Sequence, residues 1–192
     1  MLNRKIVRLV SFTLFMGATY SGCGTKVESH EIKEYRVALA SSDSKFKPII
    51  KSLVSDYNSK VGFRAMEFVD SVDQANSRIV ITEGLEKRDG KVGWGQWFVE
   101  TERNGLDLPG SAVEKTSTYS FEAEFDADFV KSNSDIQNGV IPDELAKLWA
   151  HEIGHGFLLD HHPDERNVMY YDIAGEKDFS KYWPEIRKFF GR

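Results

Sequence analysis

Residues 151 to 161 read His-Glu-Ile-Gly-His-Gly-Phe-Leu-Leu-Asp-His. His151 and His155, four residues apart, fall on one face of a helix at a separation that a single zinc ion bridges with metal–nitrogen bonds of about 2.0–2.1 Å. Glu152 sits too close to His151 to serve as a convenient third ligand, but it can reach a water held at the metal and take its proton. His161, six residues after His155, completes a three-imidazole set only if the helix stops and the chain turns back. With five histidines and sixteen glutamates in 192 residues, a shuffled chain places His, Glu, His and His at these offsets on the order of once in ten thousand times. Packing or capping accounts for one histidine in a helix and rarely for three with a glutamate between them.

The surrounding residues supply the helix. Pro142 suits a first turn, and Asp143 and Glu144 put negative charge at its positive end. Leu148, His151, Glu152 and His155 then lie at i, i+3, i+4 and i+7, while Ala146, Ala150, Ile153 and Phe157 form a second, apolar stripe.

Composition narrows the alternatives. The chain is 41% hydrophobic and 29% charged, enough for one domain with a core and too short for two full ones. Lys plus Arg number 25 against 30 for Asp plus Glu, a formal charge of −5, and no long block of like charge appears, which argues against a nucleic-acid binder. One cysteine excludes a disulfide framework and any multi-cysteine zinc module.

That cysteine lies at the end of a leader. Arg4, Lys5 and Arg8 form a basic start, and Leu9 to Tyr20 follow without a charge, the layout of a secretory signal peptide and too short to span a hydrocarbon core of about 30 Å. Ser21-Gly22-Cys23-Gly24 resembles the bacterial lipobox, with Tyr20 departing from its usual aliphatic residue. The resemblance implies cleavage before Cys23, lipidation of Cys23 and, with Gly24 following, an outer-membrane or cell-surface lipoprotein; ordinary secretion is the alternative. Loss of residues 1–22 removes three bases and no acid, deepening the net charge to −8. Residues 23–34 read as a tether and 35–192 as the domain.

Along that domain, Tyr35 to Ala40 alternates like a strand, and Phe46 to Tyr57 carries apolar residues at helical spacing. Phe63 to Val69, Arg78 to Thr82, Trp94 to Glu100 and Tyr119 to Asp126 read as further strands, with a long loop from about Glu102 to Ser117. Phe179 to Phe190 reads as a final helix stopped at Gly191.

The histidine helix resembles that of the metzincin clan of zinc peptidases, most closely the matrixin-like group. Met169, in Asn167-Val168-Met169-Tyr170, is similar to the methionine turn that lies beneath the zinc in that clan. The resemblance implies an α+β, zincin-like fold: a twisted mixed five-stranded sheet with an active-site helix and a C-terminal helix. It implies one catalytic Zn2+ on His151, His155 and His161, Glu152 as general base, and hydrolysis of a peptide or protein substrate by water without a covalent intermediate. A membrane-anchored monomer without a nucleic-acid partner is expected.

Two residues depart from the matrixin pattern. Leu158 stands where the clan has a glycine with positive φ, a conformation that costs a leucine about 1–2 kcal/mol. That predicts a differently built turn, loosened at Gly156, and leaves His162 and Asp160 as alternatives to His161. Tyr171 stands where matrixins carry proline; it either packs beneath the cleft or, as in astacins and serralysins, ligates zinc or helps bind the oxyanion. The two departures motivate a second reading, a catalytically silent metzincin-fold binding or adhesion lipoprotein. Trp94, Trp97 and Phe98, on the expected edge strand, are candidates for lining the cleft or for the core. No cysteine stands between Cys23 and the first strand, so a cysteine-capped latency switch is not expected.

Overall fold

The computed structural model describes residues 26–41, 43–86, 91–104, 112–133 and 141–192. The leader, Cys23 and the centre of the long loop lie outside the described residues. No helix among those described is long and apolar enough to cross a membrane.

The fold is mixed α/β with a mostly parallel sheet. In chain order come β1 (Lys26–Ile32), β2 (Tyr35–Leu39), α1 (Lys47–Val61), β3 (Met66–Phe68), β4 (Ser77–Thr82), β5 (Gly93–Asn104), β6 (Ala112–Asp126), α2 (Ala127–Ser132), α3 (Asp143–Gly156) and α4 (Tyr182–Phe189). The six strands form one sheet. β3, β2, β4 and β6 are parallel neighbours, and β5 runs antiparallel along β6. On the side of β6 away from β5, residues 122–126 pair with β4 and 112–118 with β1. β5 is therefore an edge strand among the described residues.

Two sequence expectations are corrected here. The sheet has six strands rather than five, because β1 forms in the stretch expected to be a tether. The loop expected from Glu102 to Ser117 is largely sheet, since β5 runs on to Asn104 and β6 starts at Ala112. Both segments carry few apolar residues and so give no period-two hydrophobic signal; backbone pairing with β6 organises them instead. Smaller shifts occur at the helices: α1 continues to Val61, closed by Gly62 at φ 90°, and α4 begins at Tyr182, with Pro184 in its first turn where the missing N–H costs nothing.

The core lies between the sheet and α1, α3 and α4. Phe157, at the end of α3, is fully buried among Tyr35, Phe121, Phe189 and Phe190, with ring centroids 4.9–5.9 Å apart. Truncating such a ring to Ala costs about 3–5 kcal/mol. Trp149 stacks on Phe125 at 5.4 Å, and Tyr182 donates a hydrogen bond to the carbonyl of Ala150. These contacts hold α3 against the sheet along its apolar stripe, which turns His151, Glu152 and His155 toward the opening beside β5.

Candidate metal centre

Two histidines of the cluster come from α3 and the third from the turn after it. The helix ends in a Schellman arrangement: the Leu159 N–H reaches back to the carbonyl of Gly154 at 3.0 Å and the Leu158 N–H to that of His155 at 3.1 Å. Leu158 supplies the left-handed residue this motif requires, with φ 65°, and is the only non-glycine residue at positive φ among those described. The expectation of a turn loosened earlier at Gly156 is thus overturned: the leucine takes the glycine-like conformation. α3 stays helical through Gly156, which is glycine for another reason, since a Cβ there would lie 2.8–3.0 Å from the Phe121 side chain.

The turn delivers His161. The side-chain nitrogens available for coordination on His151, His155 and His161 all lie within 4.8 Å of one another. His162 is engaged elsewhere: its N–H donates to the carbonyl of Met169 at 2.8 Å, and its Nδ1 accepts from the Asp164 N–H at 3.0 Å. Neither His162 nor Asp160 belongs to the cluster.

Tautomers follow from the acceptors. His151 Nδ1 lies 2.8 Å from the carbonyl oxygen of Val168, and His155 Nδ1 lies 2.8 Å from that of Leu159. A carbonyl has no proton to give, so each Nδ1 donates and each Nε2 is left with a free lone pair. The two Nε2 atoms stand 3.3 Å apart. Two zinc bonds of about 2.05 Å at the tetrahedral angle separate their nitrogens by about 3.3 Å. The donor set, its tautomers and its spacing fit one zinc ion. Burial pushes His151 down to about 4 and lowers His155 as well, so both imidazoles are neutral near pH 7, as metal ligands must be. His161 is exposed and opens the site to solvent.

Glu152 is buried on the same helix, and desolvation pushes its carboxyl up to about 8, opposed by the positive charge of Lys91. A doubly charged cation among the neighbouring imidazoles would bring it back toward the carboxylate. Room for it comes from the edge strand. A Cβ on Gly93 would lie 2.7 Å from Glu152 Oε1, and one on Gly95 would lie 2.4 Å from the backbone oxygen of Glu152. β5 thus crosses α3 at van der Waals distance, which only glycine permits. The sequence Gly93-Trp94-Gly95 carries the signal of that close approach, although the strand's aromatic residues are what draw the eye.

Met169 packs against the helix, as the resemblance to a methionine turn implies: a Cβ on Gly154 would stand 2.5 Å from Met169 Sδ. The turn around Met169 is held by its N–H donating to Asn167 Oδ1 at 2.8 Å.

A cleft of about 720 Å³ opens over these residues, lined by Lys91 and Trp94 around the start of β5, by Leu148, His151, Glu152 and His155 of α3, by His161 from the turn after it, and by Tyr171, Asp172 and Ile173. Tyr171 is 71% exposed, which removes the reading of a tyrosine packed under the cleft. Its hydroxyl accepts a hydrogen bond from Tyr170 at 2.8 Å, leaving its own proton free to donate. Trp97 and Phe98 line neither cleft nor core; both are exposed further along β5, Trp97 by 51%. Lys91 and the two glycines of β5 are the site residues that sequence reasoning missed.

No protein-family model matches the chain, and a search of curated proteins finds no match. Among solved structures, the chain is similar to archaemetzincin from Methanopyrus kandleri, with a TM-score of 0.44 and 15% sequence identity over 83% of this chain and 97% of that one.

Proposed function

We propose that this chain is a zinc-dependent metalloendopeptidase of matrixin-like type, exported and held at the outer membrane or cell surface through a lipid on Cys23. The observation that carries the catalytic part is the convergence of three imidazoles, with the Nε2 atoms of His151 and His155 3.3 Å apart, beside a buried carboxyl at the floor of an open cleft.

His151, His155 and His161 are the residues that would hold the ion. Bound there by three neutral ligands, zinc supplies Lewis acidity that lowers the pKa of water toward 7 and stabilises negative charge on a carbonyl oxygen. Glu152, as a carboxylate, takes the proton of the attacking water and passes it to the departing amine. The Val168 and Leu159 carbonyls keep both helical histidines in the tautomer that presents Nε2. Tyr171, its hydroxyl proton free, stands on the cleft wall as a donor to the developing oxyanion. An extended peptide adds along the edge of β5 that β6 leaves unpaired, beside the cleft.

The silent-lipoprotein reading drew its motive from Leu158 and from Tyr171 in place of the matrixin proline; the left-handed conformation of Leu158 answers the first, and the second is left to the experiment. The decisive experiment purifies the protein from residue 24, measures bound zinc and follows cleavage of a mixed peptide library beside the Glu152→Ala variant. The proposal predicts one zinc per chain and cleavage lost in the variant; one zinc with no cleavage above the variant returns the silent reading. Anchoring predicts detergent partitioning of the full chain that is lost in Cys23→Ala, and unchanged partitioning refutes it.

A further inference from the structure

Lys147 is the one lysine among the described residues whose whole residue is buried; its side chain is 6% exposed. It lies on α3, one turn before His151 and next to Leu148. Its three donors have three partners: Asp143 Oδ2 at 2.6 Å, Glu144 Oε1 at 3.2 Å and the carbonyl of Gly175 at 2.6 Å. A lysine serving only to pair with acids on its own helix needs no burial. Lys188, with Glu185 three residues back, makes that kind of pair at the surface. The bond to Gly175 is different because it crosses to another segment.

That segment is a wall of the cleft. α3 grips it at two points, through His151 Nδ1 to the carbonyl of Val168 and through Lys147 Nζ to that of Gly175. Between the two points lie Tyr171, Asp172 and Ile173, which line the same cleft as Leu148. The stretch has no helix or strand of its own. From the outer side, Lys177 Nζ donates to the carbonyls of Asp172 at 2.6 Å and Glu165 at 2.8 Å.

We propose that Lys147 is a positioning residue for substrate: it clasps the 171–175 wall to the histidine helix and so sets the shape of the cleft that this wall and Leu148 line. The proposal rests on the peptidase reading of the cleft. Lys147 touches neither the histidines' ligand nitrogens nor Glu152, so its removal acts on how a substrate side chain is held and not on the proton transfers.

The test uses the full zinc-loaded chain and compares Lys147→Met, Lys147→Arg and the double variant Asp143→Asn/Glu144→Gln. Amide hydrogen exchange and steady-state peptide cleavage are followed in each. In Lys147→Met, exchange at residues 171–176 is expected to accelerate about tenfold or more, the loss of one hydrogen bond from a charged donor, while α3 and the zinc content stay as in the wild type. KM is expected to rise about tenfold, with kcat within about twofold. Lys147→Arg retains both the donor and the wall's protection. The double variant keeps the bond to Gly175 and leaves exchange and KM unchanged. Wild-type exchange and KM in Lys147→Met overturn the proposal, as does a fall in kcat or zinc content at constant KM, which makes Lys147 a support of the helix alone. Should Lys147→Met fail to fold, Lys147→Gln against Lys147→Arg gives the same comparison. A wild type that cleaves no peptide refutes the peptidase reading, and the exchange arm still decides the clasp.

Discussion

Gly93 and Gly95 are two residues apart on one strand and face the same helix, yet alanine at each should fail in a different way. At Gly95 the added methyl would meet the backbone of Glu152, 2.4 Å from its oxygen, 3.1 Å from its carbonyl carbon and 3.2 Å from its Cα. A helix backbone cannot rotate away, so β5 must lift from α3 by several tenths of an ångström. Overpacking of this kind costs about 1–3 kcal/mol, and a domain of this size loses about 2–4 °C of Tm per kcal/mol. Gly95→Ala is therefore expected to melt about 2–12 °C below the wild type. At Gly93 the methyl would meet movable atoms instead: Glu152 Oε1 at 2.7 Å, Leu148 Cδ1 at 2.8 Å and Glu152 Cγ at 2.9 Å. The side chains yield and the strand stays, so Gly93→Ala should cost less than about 1 kcal/mol. What it displaces is the carboxylate, and misplacement of a reacting group by about 1 Å lowers turnover on the order of a hundredfold. Calorimetry, zinc analysis and peptide cleavage on both variants, with Gln96→Ala as a control from the other face of β5, provide the assay. A Gly95→Ala protein with wild-type Tm, or a Gly93→Ala protein with wild-type turnover, refutes the packing of β5 on Glu152 described above.

Three further outcomes are expected. In the metal-free protein the Glu152 carboxyl is raised to about 8, so its contribution to stability is complete below the unfolded value of 4.5 and is lost as pH rises through 8; His151, lowered from 6.5 to about 4, contributes fully above 6.5 and loses its contribution as pH falls toward 4. Between pH 6.5 and 8 only Glu152 acts, and the metal-free wild type should lose about 2 kcal/mol, a fall in Tm of about 4–8 °C that is absent in Glu152→Gln. His161→Ala should weaken zinc binding in a chelator competition by far more than His162→Ala, because His162 is spent on the turn toward Met169; the reverse order would place the third ligand wrongly. At Leu158, β-branched Ile adds to the cost of the left-handed backbone while Gly removes it, so Leu158→Ile should hold zinc less tightly than Leu158→Gly, and equal affinities would show that the turn is not what delivers His161.

The histidine helix was legible because its information is local: two ligands and a base at i, i+1 and i+4 need only helical geometry to converge. Met169 was legible only through its resemblance to a known methionine turn, not from helical geometry. His161 was already the favoured third ligand, but the turn that delivers it was not legible, because it hangs on the conformation of Leu158, and a residue that pays to be left-handed advertises nothing in its side chain. Core packing of Phe157 and the backbone bonds of Leu158 and Leu159 together impose it. β1 and the outer half of the hairpin were illegible for the opposite reason. Their pairing is made by backbone groups of β6 some eighty residues away from β1, and side chains that alternate polar with polar leave no trace of a face. Lys147 reads in sequence as one more surface lysine on a helix, and only the return of residues 172–176 across it turns it into a joint.

β6 pairs with three other strands, and it is the last strand of the sheet to be made. Lys26 has no partner until Ala112 exists, and the side of β4 away from β2 has none until residues 122–126 of β6 exist. A growing chain therefore presents β1 as an unpaired strand, and β4 with one edge open, until nearly two thirds of it has been made. Such topology folds slowly and late, and its half-made states expose the edges from which aggregation starts. A cell that makes this protein has to keep more than a hundred residues soluble until a single strand arrives to join the two ends of the sheet.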